Sequence, residues 1–244
     1  MGEFTIKIAG FSAEVTSLFA STKDYCVRYL TEETPQCRIT VTREDLEFEQ
    51  EALRQEALEE GIKIRKFTDP FLERTAIQRK LADLLFDQNV LMTHGSTVAV
   101  DGKAYLFTAK CGTGKSTHTR LWRQVFGDRA AMVNDDKPFL KLTEAGVLAC
   151  GSPWSGKHGL DTNIIVPLQG ICILERGQEN RIARISAEEA LPMLLHQTHC
   201  PLALQNRERF EALVLQLAQT VPLWRMECTI DPQAAEIAHK AMSE

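Results

Sequence analysis

This sequence lacks any excess of positive charge: 28 Lys and Arg stand against 33 Asp and Glu, for a formal net charge of −5. A chain of that sign has no overall attraction for polyanions, which argues against a nonspecific nucleic-acid binder. Long apolar runs are also missing. None approaches the ~20 residues a bilayer-spanning helix needs, so no membrane partner is expected. The opening stretch, MGEFTIKIAGFSAEV, has neither the basic start nor the apolar core of a secretion signal. Gly2 is followed by Ile6 where a myristoylation motif requires Ser or Thr. The seven cysteines are odd in number and mostly set among apolar neighbours, so they read as reduced thiols rather than a disulfide framework. These absences predict a cytoplasmic chain. Neither an internal repeat nor a low-complexity segment interrupts it.

What is present is the composition of a globular protein, 44% hydrophobic and 25% charged over 244 residues. Residues 3–9 read as a strand, followed by a helix-like stretch to about Leu30 and a strand, CRITV, at 37–41. Thr42 with Asp45 marks a helix start before an acidic, helix-forming run. GIKIRKF reads as a further strand. After Asp69-Pro70 comes an amphipathic helix with Leu72, Ile77, Leu81, Leu84 and Leu85 near one face. Residues 1–88 form a small N-terminal α/β region expected to pack on the core, and they carry no convergent polar chemistry.

Residues 89–244 have a different character. VLMTHGSTVAVDGKAYLFTA reads as a strand and then a hairpin turning at Asp101-Gly102. Its last strand runs straight into a glycine-rich loop and a helix from Lys115 to about Phe126. A strand ending at MVNDD, a hairpin around TEAG, strands GICILERG and RIARI, two helices, strand PLWRMECTI and a closing helix follow. The expectation is an α/β fold with a mixed, hairpin-rich sheet flanked by helices.

The loop holds Gly112, Thr113, Gly114, Lys115, Ser116 and Thr117. A phosphate chain needs many donors close together. Glycines let the backbone curl so that its N–H groups converge, and the helix start adds its positive dipole end. Lys115 would reach the terminal phosphates and the Ser116 hydroxyl would ligate Mg2+. Ala109 stands where the common pattern has its first glycine, so it should avoid positive φ. A strand-end carboxylate normally completes such a site. Asp135 and Asp136 provide two, which suggests a division between metal binding and proton acceptance. His94, at the end of the strand before the hairpin, should reach the same edge. Trp154, Ser155 and Lys157 lie in a second glycine-punctuated loop, where Lys157 could neutralise transferred phosphoryl charge or anchor an acidic acceptor. His118 sits in the first turn of the loop helix and could face the pocket. Arg176 and Arg181 flank a turn, and either could contribute an arginine. His196, His199 and Cys200 have helical spacing but no fourth metal ligand.

LMTHGSTVAVDGKAYLFTAKCGTGKST followed by VNDD resembles the catalytic domain of HPr kinase/phosphorylase, whose P-loop core is related to that of phosphoenolpyruvate carboxykinases. The likeness covers about 91–136 well and extends to small bacterial HPr-kinase-like proteins. The chain departs from their pattern at Lys110-Cys111, where proline and serine are usual, and Cys111 adds an oxidisable thiol. Residues 1–88 do not resemble the N-terminal domain of authentic HPr kinases. The resemblance implies a P-loop kinase in which His94 is the active-site histidine and Lys115 the phosphate lysine. It also implies Ser116 as metal-binding hydroxyl and Asp135 with Asp136 as the base and metal pair.

The expected function is therefore an ATP- and Mg2+-dependent kinase that transfers the γ-phosphoryl group to a hydroxyl, above all a serine of a protein or peptide. Asp135 is expected as base, with Asp136 and Ser116 on the metal. Two alternatives stand beside it: a kinase for a small-metabolite hydroxyl such as free serine, and a nucleotide-binding regulatory protein with little turnover. ATP over GTP or pyrophosphate, reverse phosphorolysis and a homo-oligomeric state all stay open.

Overall fold

We describe the chain from a computed structural model, over residues 2–59, 61, 63–202 and 207–244. It divides into two compact units, Met1–Leu85 and Phe86–Glu244.

In the first unit β1 (Gly2–Ile8) and β2 (Phe11–Ser17) form an antiparallel hairpin, with Ile8 opposite Phe11. Ala9 (φ 53°) and Gly10 (φ 84°) make the turn, both in the left-handed region that a two-residue hairpin turn requires. This corrects the helix-like reading of the residues after 9. Its helix-forming Ala, Glu and Leu are overridden by an alternation that buries Ala13, Val15 and Ser17 on one side of β2. Only the short helix α1 (Ser21–Tyr25) and one 3-10 turn (Val27–Tyr29) follow. Strand β3 (Cys37–Thr40) pairs parallel to β2. Helix α2 (Arg43–Glu59) begins where Thr42 and Asp45 exchange hydrogen bonds, the Thr42 amide to Asp45 at 2.9 Å and the Asp45 amide to the Thr42 hydroxyl at 3.4 Å.

The expected strand GIKIRKF is not formed at 63–67, and Ile62 lies outside the described residues. In α3 (Asp69–Phe86), Leu72, Ile77, Leu81 and Leu85 are buried, but Leu84 is exposed. Buried Glu73 accepts from the Leu18 and Phe19 amides and from the Thr22 hydroxyl, so one carboxylate satisfies three donors.

In the second unit a nine-stranded sheet has the order β4 (Val90–Met92), β8 (Phe139–Thr143), β9 (Gly146–Cys150), β10 (Ile165–Arg176), β6 (Lys103–Thr108), β5 (Ser96–Val100), β7 (Ala130–Asn134). Strand β12 (Leu223–Cys228) pairs with β10, and β11 (Arg181–Arg184) with β12. The sheet is mixed: β10 runs parallel to β6 and β12, and the other pairs are antiparallel.

Alternation along β6 builds two cores. Ala104 and Leu106 join the core that takes in α5 (Ala187–Gln197) and α6 (Arg207–Thr220). Tyr105 and Phe107 join the other, with α4 (Lys115–Phe126) and α7 (Gln233–Ser243). Each face of the central strands is thereby covered by a helix pair. No helix among the described residues is long and apolar enough to cross a membrane.

His118 belongs to the second core and not to an open pocket. It lies edge-on to Phe107 at 4.5 Å, and its Nε2 accepts from the Trp122 indole at 3.1 Å. Burial holds its proton affinity down, to a pKa of about 4.

Glu73→Ala is expected to lower the unfolding free energy by about 3 kcal/mol, because three buried or half-buried donors lose a charged partner. Urea denaturation measures it, with Glu73→Gln losing less. The depressed His118 pKa means that the unfolded chain binds the proton more readily. Stability is therefore complete above about pH 6.5 and falls as pH drops toward 4, at about 1.4 kcal/mol per pH unit. His118→Gln keeps an acceptor for Trp122 and should flatten the fall of the thermal midpoint across that window.

Candidate active site

The sheet directions decide which side chains meet. Strand β6 ends at Thr108, and β10, running parallel, passes it with Ile173 opposite Thr108. Strand β5 runs the other way, so its first residue Ser96 lies opposite Phe107 near the end of β6. Strand β7 reverses again and finishes with Asn134 opposite Thr97. His94 before β5, the loop after β6, Asp135 and Asp136 after β7, and Arg176 closing β10 therefore share one edge. Gly95 makes the approach close, since a Cβ there would fall 2.5 Å from the Leu106 Cδ1.

The loop after Thr108 curls through Gly112 (φ 73°) and Gly114 (φ 121°), conformations that L side chains rarely adopt. Thr113 follows the turn with its amide on the Lys110 carbonyl at 3.3 Å. Arg176 clasps the loop from outside, donating to the Gly112 carbonyl at 2.5 Å and the Thr113 carbonyl at 3.5 Å. Of the two arginines the sequence offered, this is the one at the loop. Lys115 folds back so that its ammonium donates to the Ala109 carbonyl at 2.9 Å. Ser116 is exposed in the first turn of α4, with Thr117 beside it. Cys111 is exposed too, and all seven cysteines are free thiols.

The adjacent aspartates are anchored on opposite sides. The buried Asp135 accepts at Oδ1 from the Ser96 hydroxyl at 2.6 Å, and Ser96 Oγ lies 2.7 Å from Thr119 Oγ1 on α4. Ser96 has one proton and gives it to the carboxylate, so Thr119 is the donor of the second bond. Asp135 is thus tied to the helix that follows the glycine loop.

Asp136 faces the other way. Its Oδ1 lies 3.4 Å from His94 Nε2. Its Cβ is 3.2 Å from where a side chain on Gly156 (φ 66°) would begin. Its carbonyl accepts from the Gly95 amide at 3.0 Å. Burial raises the proton affinity of Asp136, and the neighbouring Asp135 charge adds to this against the pull of Lys137 and Lys115. His94 is driven the opposite way, to a pKa of about 3, first by burial and then by the charges of Lys137, Lys115 and His196. It is neutral at physiological pH, so its contact with Asp136 is not an ion pair.

The structure thus brings His94, Lys115 and Asp136 together, with Asp135 one hydroxyl away from α4. Lys157 is exposed on the 3-10 turn Gly156–His158 that begins beside Asp136. Trp154 is buried and packs on Phe139. His196 pairs with Gln197, and no group of three metal-binding His, Cys, Asp or Glu side chains occurs among the described residues. Sequence reasoning did not single out Ser96, Thr119, Lys137, Ser152 or Asn134. Only Asn134 carried a signal, as an Asn opening a turn.

The available donors are oxygens of the kind Mg2+ prefers: the Ser116 hydroxyl and the two carboxylates. Mg2+ usually takes one or two carboxylates and completes its shell with phosphates and water, so this sparse set suits it better than a caged transition metal.

No family model matches the chain, and no curated protein matches it. Among solved structures, it is similar to the HPr(Ser) kinase/phosphatase from Coxiella burnetii, at 12% identity and a TM-score of 0.37. That match covers 62% of this chain and 88% of the other, a distant likeness of fold.

Gly156→Ala is expected to be more destabilising than Gly159→Ala. Both positions have positive φ, worth about 1 kcal/mol of strain, but only Gly156 also presses a new Cβ on Asp136. Thermal denaturation of the pair checks this, and equal losses would mean that Asp136 yields freely.

Proposed function

We propose that the chain is a phosphotransferase that moves the γ-phosphoryl group of ATP, with Mg2+, to a hydroxyl. The observation that carries this reading is the convergence at one sheet edge of a positive-φ glycine loop, its lysine, two adjacent carboxylates and a neutral histidine. Each part answers a need of phosphoryl transfer, where positioning and charge stabilisation supply most of the catalysis. Loop amides and Lys115 hold the β- and γ-phosphates. Ser116 and a carboxylate would hold Mg2+, which when bound neutralises charge on those phosphates.

Proton acceptance is better suited to Asp136 than to Asp135, the reverse of the order expected from sequence. Asp136 has the raised proton affinity and is the less buried of the two, whereas Asp135 is held as an acceptor by Ser96 on the nucleotide side. The acceptor hydroxyl gives its proton to Asp136 as its oxygen bonds to the γ-phosphorus. The bond from that phosphorus to the β–γ bridging oxygen breaks, and ADP leaves. His94 stays neutral and orients the carboxylate or the hydroxyl. Serine of a protein or peptide is the acceptor class we assign.

Transfer of radiolabelled γ-phosphate into a fractionated host extract tests the assignment. Label is expected in protein, with Asp136→Asn and Lys115→Met each lowering the rate at least about a hundredfold. Label in the small-molecule fraction would move the acceptor to a metabolite hydroxyl. ATP binding with no ADP formed beside any fraction would leave a nucleotide-binding protein without turnover. A hundredfold loss in Asp135→Asn, with Asp136→Asn near wild type, would restore the order expected from sequence.

A further inference from the structure

One side chain in the site makes contacts on both arms of its amide. Asn134 is fully buried at the end of β7. Its Oδ1 accepts from the amides of Asp136 at 2.8 Å and Lys137 at 2.6 Å, which fixes the turn that carries the second aspartate. Its Nδ2 reaches a segment far along the chain, donating to the Ser152 carbonyl at 2.8 Å, the Ser152 hydroxyl at 3.0 Å and the Trp154 carbonyl at 3.2 Å.

Two further bonds close the same seam. The Lys137 amide donates to the Trp154 carbonyl at 3.2 Å and the Ser152 hydroxyl to the Lys137 carbonyl at 2.7 Å. Beyond Trp154 come Ser155, which donates to the buried Asp161 at 2.7 Å, and then Gly156 against Asp136. A turn-making asparagine needs only the Oδ1 arm. The Nδ2 arm is surplus to the turn, and what it adds is a fixed spacing between Asp136 and residues 152–156.

We propose that Asn134 is a positioning residue that locks residues 152–156 to Asp136, making that segment the acceptor side of the site. It rests on the phosphotransferase reading for what the acceptor is, but not for the tether itself. Asp135 is held to the nucleotide side through Ser96 and Thr119, so the peptide bond between the two aspartates is the seam between donor and acceptor halves. Residues 152–156 lead directly into the exposed turn that carries Lys157, a cationic side chain, and His158.

Hydrogen exchange of two variants, with nucleotide binding and transfer measured alongside, tests this. Asn134→Asp keeps an oxygen for the Asp136 and Lys137 amides but loses the donor arm. It is expected to speed exchange across 152–159 at least tenfold while those two amides stay protected. Asn134→Ala should release both segments. In each, exchange along α4 and the Kd for ATP stay within about threefold of wild type, while kcat falls about a hundredfold, as a small misplacement can cause. Exchange that rises uniformly over the unit would reduce Asn134 to a general structural role and overturn the proposal, as would unchanged exchange at 152–159. Transfer by Asn134→Ala within threefold of wild type would overturn it equally. Ser152→Ala is the milder second variant, removing the hydroxyl that donates to the Lys137 carbonyl and accepts from Asn134 Nδ2, and is expected to act in the same direction. If wild type transfers nothing, the exchange results still decide the tether while the kinase reading fails separately.

Discussion

The parallel pairing of β6 with β10, between antiparallel neighbours, is the constraint from which the rest of the site follows. Strand direction is a backbone property, set once the tight Asp101-Gly102 turn returns the chain from β5 to β6. With those directions fixed, two strand ends, one strand start and the end of β7 must open on the same edge. The side chains at that edge therefore come from segments up to 82 residues apart, from His94 to Arg176, without any long loop having to bring them together. Two helix-covered cores brace the strands that deliver them. The packing holds their placement, which the proposed positioning role would use.

Within that edge the difficult element is the pair of adjacent carboxylates. Two like charges at neighbouring, largely buried positions disfavour each other, and one response is to raise the proton affinity of one of them. The fold separates their surroundings. Asp135 is given a hydroxyl donor in a buried chain leading to α4. Asp136 is given a neutral histidine, a glycine wall and two nearby lysines, and the balance still falls toward proton uptake. Identical side chains one residue apart are thereby made chemically unlike. The proposed division between metal binding and proton acceptance rests on that difference.

Much of this was legible in the sequence because it depends on local rules. The Asp-Gly turn, the glycine loop between strand and helix, the Thr42/Asp45 helix start and the doubled aspartate are all short-range patterns. The readings that failed needed information the local pattern does not hold. Strand β2 was read as helical because a turn with Ala9 at positive φ is an unusual hairpin signal. The strand expected at GIKIRKF has alternation, but its described residues 63–67 join no ladder, and a strand without a ladder is not formed. His118 has the spacing of a pocket residue, yet the pitch of α4 turns it toward Phe107 and Trp122. Ser96, Thr119 and the far contacts of Asn134 were invisible for a related reason. Their partners lie between 18 and 39 residues away, and only the folded sheet defines them.

Ala109 shows how a departure from a common motif becomes intelligible in three dimensions. Its residue is fully buried among Phe107, Leu121 and Trp122 in the core beneath α4, and it is not among the residues with positive φ. The position therefore needs ordinary backbone geometry and has room for a methyl group, so glycine would gain nothing there and would cost conformational entropy on folding. The real demand for glycine falls later, at Gly112 and Gly114, where φ is positive and a Cβ would be strained by the backbone alone. The Ala109 carbonyl has its own task, receiving the Lys115 ammonium across the mouth of the loop. That contact and the Arg176 clasp on the Gly112 and Thr113 carbonyls satisfy loop oxygens from two sides. Glycine is thereby confined to the two loop positions whose backbone requires it.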